Sequence, residues 1–213
     1  MYSPPAFRDT DLATLHQLIR GTPVANLVTA TADGLLATPL PLFLVAGEGP
    51  RGTLYGHIAK ANPQWRAAPT TDALAIFMGP DAYVSPSWYA NKPIDGKVVP
   101  TYNYVTVHAH GPAAFFDDAD RLLAVVTRLT DRFEQGRPQP WAVTDAPSAF
   151  VESQLRGIVG VRLPIARLEG KRKLSQNRPA ADRLRVAREL AASDRSADRA
   201  VAAMMPLPSP SDA

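Results

Sequence analysis

The sequence predicts an antiparallel β-barrel flanked by helices. Three observations lead to this fold class. At least six segments have the composition or the period-2 alternation of strands, few of them alternate with helices as βαβ units would, and 21 prolines argue against long helices. A doubly wound sheet of the Rossmann type is therefore not expected.

Three segments show the periodicity of amphipathic helices. The first, TDLATLHQLIRG, begins after a cap at Thr10 and ends at Gly21. The second, DDADRLLAVVTRLTDRFEQG, places Leu122, Val125 and Leu129 on one apolar stripe. The third is PAADRLRVARELA. These helices are expected to cover the sheet.

The remaining ordered segments are strand-like. VANLVTA and LLATPLPLFLV, joined by the TADG turn, predict a β-hairpin. They are followed in order by GTLYGHIA, DALAIFMG, DAYVSPSWY, KVVPTYNYVTVHAHGPAAFF and GIVGVRLPIARLE. The end of the chain, with PLPSPSDA as its last residues, predicts a disordered tail. One domain is therefore expected over residues 1–192 and a tail over residues 193–213.

Composition limits the classes of function. The chain has no cysteine, which excludes disulfides, thiolate metal ligands and cysteine nucleophiles. Its formal net charge of +3 is small, and its basic residues are clustered only in KRKLSQNRPAADRLRVAR, so nucleic acid is not an expected partner. No apolar run of about 18 residues and no signal-peptide pattern occur, so a cytoplasmic protein without a membrane partner is expected.

The segment GKRKLSQNRP predicts recognition of a phosphate or a carboxylate. Lys173, Gln176 and Arg178 bring cationic and neutral donors together shortly before a helix. A solvated loop is the alternative interpretation. Because GxxxxGK[ST], GxGxxG after a strand and GxSxG are all missing, nucleoside triphosphate chemistry and the common hydrolase elbow have no support.

The segment GHIAKANPQW carries a histidine in an apolar strand. Gly56 has no side chain beside His57, which would leave room for a flat group, and Trp65 follows after an Asn-Pro turn. A neutral imidazole at the edge of an apolar pocket is what a haem iron requires. A core histidine that only fills space is the alternative.

The segment TYNYVTVHAH predicts a strand with two different faces. Tyr102, Tyr104, His108 and His110 lie on one side by the period-2 rule, and Asn103 lies on the other. Two histidines on one face can bind a metal, but no third ligand follows at a suitable spacing. A polar face packed on a neighbouring subunit or helix is the favoured interpretation.

The segment SPSWY lies in a loop broken by proline. Ser85, Trp88 and Tyr89 suit the stacking of a flat ring and the donation of hydrogen bonds to it. An aromatic plug in the core is the alternative.

Several long motifs resemble a known family. They are MYSPPAF, GHIAKANPQW, GPDAYVSPSWY, VVPTYNYVTVHAHG, LTDRFE, WAVTDAP and IVGVRLPIARLEGKRKLSQNR. In this order, and over about residues 1 to 190, they resemble the PaiB-like family of FMN-binding negative transcriptional regulators. The resemblance implies a mainly β fold with flanking helices, the six-stranded FMN-binding split β-barrel, and a homodimer with its cofactor pocket near the subunit interface.

The sequence departs from the regulator pattern at three positions. Lys60 stands where arginine is usual, Tyr102 where tryptophan is usual, and Arg172 where tryptophan usually lies between the lysines. The family also includes haem-dependent piperazate synthases, which cyclise N5-hydroxy-L-ornithine to L-piperazate by making an N–N bond. The departures suggest a repurposed pocket. We therefore expect a haem-dependent enzyme that resembles piperazate synthase, with a PaiB-like FMN-binding regulator as the alternative.

The resemblance also implies roles for individual residues. The expected cofactor is haem b, with FMN as the alternative, and the expected substrate is a hydroxylated amino acid. His57 is expected to be the proximal iron ligand, while Lys60 and His108 are the expected catalytic residues. The other residues expected to bind the cofactor are Trp65, Ser85, Trp88, Tyr89, Asn103, Lys173, Gln176 and Arg178.

Overall fold

A computed structural model describes residues 1–90 and 92–207, apart from the side chain of Asp95. These residues form nine strands and six helices. The strands are β1 (Arg8–Asp9), β2 (Val24–Thr31), β3 (Gly34–Val45), β4 (Thr53–Ala59), β5 (Ala73–Val84), β6 (Thr101–Gly111), β7 (Ala114–Phe116), β8 (Ile158–Pro164) and β9 (Arg167–Lys173). The helices are α1 (Leu12–Gly21), α2 (Lys92–Asp95), α3 (Ala119–Glu134), α4 (Ser148–Leu155), α5 (Ala180–Ala191) and α6 (Ser196–Met204).

The chain divides into two compact units, and each unit is built from separate stretches of sequence. The larger unit comprises Leu12–Phe77 and His108–Leu168. The smaller unit comprises Met1–Asp11, Met78–Val107 and Glu169–Ala213. Strands β5 and β6 contribute residues to both.

The larger unit holds an antiparallel sheet in the order β5-β2-β3-β4-β8-β7. The predicted hairpin is confirmed: β2 and β3 pair from Val24 and Pro41 to Thr31 and Gly34, and Gly34 has φ of 121° at the turn. Alternate residues of β4 and β8, such as Leu54 and Val161, are completely buried. Helix α3 contributes Val125 and Leu129 to a second apolar cluster, with Phe43.

The smaller unit holds strands in the order β1-β9-β6-β5 and the helices α5 and α6. Its core includes Leu174, Val186, Leu190 and Val201, none of which exposes more than 1% of its surface. The alternation predicted for β6 is confirmed, because Asn103 and the valines that share its face are buried, whereas Tyr102 is exposed.

The three predicted helices correspond to α1, α3 and α5. Helix α3 begins after Asp118, whose carboxylate accepts a hydrogen bond from the backbone N–H of Arg121 at 2.9 Å. The segments DALAIFMG and DAYV, which looked like separate strands, form the single strand β5.

The disorder predicted for residues 193–213 does not hold over the described part of that segment. Ser196–Met204 forms helix α6, which buries Val201 completely and is followed by Met205, 6% exposed. Burial of these apolar side chains stabilises the segment, although its proline-rich and serine-rich composition suggested disorder. The predicted boundary at residue 192 is therefore not the end of ordered structure, and residues 208–213 lie outside the described residues.

The predicted fold class is confirmed, since the described chain is a mainly antiparallel sheet with flanking helices. None of its described helices combines the length and the apolarity needed to cross a membrane.

Candidate functional site

The predicted site residues fall into two groups, one in each unit. The smaller unit holds Ser85, Trp88, Tyr89, Asn103, Lys173, Gln176 and Arg178. The larger unit holds His57, Lys60, Trp65 and His108.

In the smaller unit, β9 directs two lysines onto the tyrosine-bearing side of β6. The Nζ of Lys171 lies 5.2 Å from the centre of the Tyr104 ring, and it donates a hydrogen bond to the carbonyl of Tyr2 at 3.2 Å. The Nζ of Lys173 donates to the carbonyl of Tyr102 at 2.8 Å and to the hydroxyl of Thr101. Cations and aromatic rings therefore share one surface.

Side-chain hydrogen bonds fix the conformation of the loop that follows β9. Ser175 has φ of 62°, a left-handed conformation that costs about 1 kcal/mol or more for a residue other than glycine. Asn103 stabilises it, because their buried side chains exchange hydrogen bonds of 3.0 and 3.1 Å. Gln176 accepts from the backbone N–H of Leu174 at 2.7 Å. The amide groups of Asn103 and Gln176 are thus engaged by the protein itself and position the loop.

Arg178, at the end of this loop, lies against Tyr89. The guanidinium carbon is 4.5 Å from the ring centre, and Tyr89 is 1% exposed. Burial raises the pKa of the Tyr89 hydroxyl, and no described residue forms a hydrogen bond of normal geometry with it. Nearby, the buried carboxylate of Asp182 accepts from the backbone N–H of Ala90 at 2.9 Å. Tyr89 therefore packs in the core, and its ring face contacts the Arg178 guanidinium.

Ser85 and Trp88 belong to a turn that the protein stabilises internally. The hydroxyl of Ser85 accepts from the backbone N–H of Ser87 at 3.2 Å and so caps the short 3-10 turn Pro86–Trp88. Trp88 is half-buried.

Lys171, Lys173 and Arg178 together form what we call the cation cluster. Burial lowers the pKa of Lys173, and the positive charges of Lys171 and Arg178 lower it further, whereas Tyr104 opposes this effect. In the described part of the chain, none of the three has a carboxylate within 4.0 Å. The cluster is a surface on which positive charge is not neutralised.

In the larger unit, the room predicted beside Gly56 is already occupied. A Cβ atom at Gly56 would lie 2.5 Å from the carbonyl oxygen of Pro41 and 2.7 Å from the Leu42 side chain. Glycine is needed here so that β3 can approach β4, and the interpretation of Gly56 as space for a flat ligand is wrong.

The turn after β4 is also built for structure. Asn62 accepts from the backbone N–H of Gln64 at 2.9 Å, and the buried Gln64 side chain enters the β2–β3 hairpin. There it donates to the carbonyl of Leu27 at 3.1 Å and accepts from the hydroxyl of Thr38 at 2.6 Å. The indole of Trp65 donates to the carbonyl of Lys60 at 2.9 Å.

His57 has one feature that is expected of an iron ligand. It lies on β4 opposite Gly160, and its Nδ1 is buried without a hydrogen-bond partner among the described residues. Burial lowers the pKa of His57, which keeps the imidazole neutral. The Phe116 ring occupies the space over Gly160, since a Cβ there would lie 2.3 Å from it. An orphaned neutral nitrogen beside an aromatic ring fits coordination of iron.

The two residues expected to be catalytic lie in different surroundings. Lys60 forms an exposed ion pair with Asp117 at 3.5 Å and lines a cleft of about 290 Å³ with Glu152 and Arg156. His108 faces His110, with 6.3 Å between their ring centres.

Sequence reasoning missed a polar triad in the larger unit. The hydroxyl of Tyr55 donates to Glu48 at 2.9 Å, and Arg162 binds the same carboxylate at 2.6 Å. Burial by itself would raise the pKa of Glu48, but hydrogen bonds from Arg162 and Tyr55 hold it below its ordinary value. Since 114 residues separate Glu48 from Arg162, no local pattern could have joined them.

Comparison with known proteins places these features in a family. The family model described as "Putative FMN-binding domain" matches residues 1–167. The chain is 33% identical over 194 residues to "Protease synthase and sporulation protein PAI 2" of Bacillus subtilis, a match that covers 89% of each chain.

Two solved structures share the fold. The flavocytochrome Anf3 of Azotobacter vinelandii has a TM-score of 0.56 and 18% identity, and the match covers 78% of this chain and 69% of that one. An FAD and haem binding protein of Mycobacterium smegmatis has a TM-score of 0.57 and 19% identity, over 78% of this chain and 73% of that one.

Proposed function

The chain belongs to the "Putative FMN-binding domain" family, whose model matches residues 1–167. We propose that it binds FMN and that the cation cluster, which follows the matched residues, holds the phosphate. This makes the protein a PaiB-like flavin-binding protein. Its relative in Bacillus subtilis, named "Protease synthase and sporulation protein PAI 2", supports the PaiB-like assignment.

One observation carries the proposal: three cations lie together, and among the described residues none of them has a carboxylate within 4.0 Å. Burial lowers the pKa of Lys173, and the positive charges of Lys171 and Arg178 lower it further. A phosphate dianion would reverse that effect, and charge-assisted hydrogen bonds to phosphate are among the strongest that side chains make.

The surroundings of the cluster suit the flat ring of a flavin. Tyr104 lies beside Lys171, and Tyr102 lies on the same side of β6 and is 53% exposed. Tyr83 meets Tyr102 edge to face, with 5.7 Å between the ring centres. Exposed aromatic faces next to a phosphate-binding group favour stacking of a planar ring.

Bound flavin would supply hydride or electron transfer. The residues described here bind and orient it: Lys171, Lys173 and Arg178 by charge, and Asn103 by fixing the loop. Two partner assignments accompany the proposal. We propose that the protein is a homodimer, which light scattering of the flavin-loaded protein would test. We propose no nucleic-acid partner.

The experiment compares FMN with riboflavin, which has the same ring and no phosphate. Binding is measured by quenching of flavin fluorescence. We expect wild-type protein to prefer FMN, and Lys173→Ala and Arg178→Ala each to weaken FMN binding about tenfold or more while riboflavin binding changes little. Arg188→Ala is the matched control, because the Arg188 side chain is 80% exposed on α5. Equal affinity of the wild type for FMN and riboflavin would refute the phosphate assignment.

A second candidate function rests on the orphaned Nδ1 of His57. Here the chain is a haem-dependent cyclase that resembles piperazate synthase, and haem supplies a Lewis acid. His57 would ligate the iron, and Lys60 would hold the substrate carboxylate once its ion pair with Asp117 opens. His108 would take the second catalytic role.

Absorption spectroscopy tests this second candidate. The protein is supplemented with haem, and the Soret band is recorded for the wild type, His57→Ala and His108→Ala. We expect the band to change in His57→Ala alone. A protein that shows flavin bands only, or a Soret band that does not respond to His57→Ala, would exclude His57 as the ligand.

A further inference from the structure

A cleft in the larger unit lies between α3 and the strands that it covers. Its volume is about 230 Å³, and its lining includes Phe43, Glu48, Tyr55, Phe116, Arg121 and Arg128. Pockets for drug-sized ligands usually measure about 300–1,000 Å³, so this one suits a molecule of roughly one ring.

The floor of the cleft is aromatic. Phe43 and Tyr55 are opposite each other on β3 and β4, and their rings stack with centres 5.7 Å apart and an angle of 20°. Phe116 forms a second aromatic wall, and Val125 of α3 adds an aliphatic one. A planar ring could bury both faces here.

Two arginines stand over this floor. Arg121 and Arg128 are seven residues apart on α3 and therefore share a helix face. The guanidinium carbon of Arg121 lies 4.0 Å from the centre of the Phe116 ring, and that of Arg128 lies 4.9 Å from Phe43. Among the described residues, neither has a carboxylate within 4.0 Å.

Two other arginines of this unit have hydrogen-bond acceptors for their N–H donors. Arg132, further along α3, donates to the carbonyl of Leu42 at 3.1 Å and to that of Arg20. Arg162 binds Glu48 at 2.6 Å. The Glu48 carboxylate also accepts from Tyr55, so its charge is already compensated and would not repel an anion.

We propose that this cleft binds a small planar aromatic carboxylate. The ring lies on Phe43 and Tyr55, and the carboxylate accepts hydrogen bonds from Arg121 and Arg128. Ring faces satisfy a guanidinium less completely than a carboxylate does, because they leave its N–H donors without acceptors. The site is independent of the FMN proposal, since it shares no residue with the cation cluster.

Calorimetric titration of the full-length protein tests the proposal with three probes of similar size. Benzoate has the ring and the charge, benzamide lacks the charge, and cyclohexanecarboxylate lacks the planar ring. We expect the wild type to bind benzoate at least about tenfold more tightly than either of the others. Lack of heat with benzoate, or equal binding of benzoate and benzamide, would overturn the proposal.

Variants locate the site. Arg121→Gln and Arg128→Gln should each weaken benzoate binding about tenfold, whereas Arg188→Gln on α5 should leave it unchanged. Lys173→Ala should also leave it unchanged, which separates this site from the cation cluster. Arg128→Lys keeps the charge and serves if a glutamine variant unfolds. Benzoate binding that survives in both Arg121→Gln and Arg128→Gln would show that the cleft is not its site.

Discussion

Two polar loops of this protein look alike in sequence and serve different ends. The turn after β4, KANPQW, and the loop after β9, LSQNRP, each follow a strand and each carry amide side chains and a nearby lysine. In the first, Gln64 has every polar atom engaged inside the β2–β3 hairpin, and Lys60 has an acidic partner. In the second, Asn103 and Gln176 fix the backbone, while Lys173 and Arg178 have no acidic partner in the described chain.

The difference teaches that polar character alone does not mark a binding site. Both loops spend their amide groups on structure. Only the loop after β9 also leaves positive charge uncompensated, and that excess is what an anionic ligand can recognise.

The largest effect expected from this comparison is on stability. Gln64→Leu removes the buried side chain that donates to the Leu27 carbonyl and to the hydroxyl of the buried Thr29, and that accepts from Thr38. We expect a loss of about 2–4 kcal/mol in the free energy of unfolding, measured with denaturant. FMN affinity of the folded protein should not change.

Gln17→Leu is its control, because Gln17 is exposed on α1. Retention of full stability in Gln64→Leu would show that the turn after β4 is not a structural element, and the contrast between the loops would fail.

A medium effect is expected from Asn103→Leu. This change removes the hydrogen bonds that hold Ser175 in its left-handed conformation, so the loop after β9 should lose its fixed shape. We expect about 1–2 kcal/mol of destabilisation and, in contrast to Gln64→Leu, weaker FMN binding in the fluorescence titration.

Asn26→Leu on β2, an exposed strand position, is the matched control and should alter neither quantity. If Asn103→Leu destabilised the fold and yet bound FMN normally, the loop would not position the cation cluster.

The smallest effect is expected from Lys173→Met. Among the described residues Lys173 has no carboxylate within 4.0 Å, and burial and two neighbouring cations disfavour its charge, so the unfolding free energy should change by at most about 0.5 kcal/mol at neutral pH. Lys60→Met, which breaks an exposed ion pair, should cost about as much or slightly more.

The pH dependence of Lys173 has a definite sign. Its pKa is lower in the folded protein than the ordinary value of 10.5, so the unfolded chain binds more protons between the two values. The stability attributable to Lys173 therefore rises as pH increases through that window, and it is lost below it. Lys173→Met should flatten this rise in chemical denaturation experiments. A wild-type profile identical to that of Lys173→Met would contradict the lowered pKa of Lys173.

Local features of the sequence predicted much of the fold. Strand parity separated Asn103 from the tyrosines of β6, and apolar stripes located α1, α3 and α5. The anion site expected from the clustered donors of the loop after β9 stays a prediction. Each of these depends on residues close in sequence, where helix and strand periodicity acts.

What the sequence did not predict depends on distant partners. Gln64 finds Leu27 across 37 residues, and Gly56 is a glycine because Pro41 of another strand lies against it. Helix α6 was missed because two buried side chains, Val201 and Met205, outweigh a composition that suggested disorder. Spatial neighbours decide such positions, and spacing along the chain carries no record of them.

In the smaller unit the first strand pairs with the last, and this pairing affects when the chain can fold during synthesis. In the described part of the chain its first strand, β1, pairs with β9 alone, and the amino group of Met1 donates to Glu169 across 168 residues. A ribosome must therefore make most of the protein before the beginning of the chain finds its partner. Contacts of such long range slow folding and prolong the exposure of unpaired strand edges. Strand β1 therefore stays without this partner until β9, Arg167–Lys173, has been synthesised.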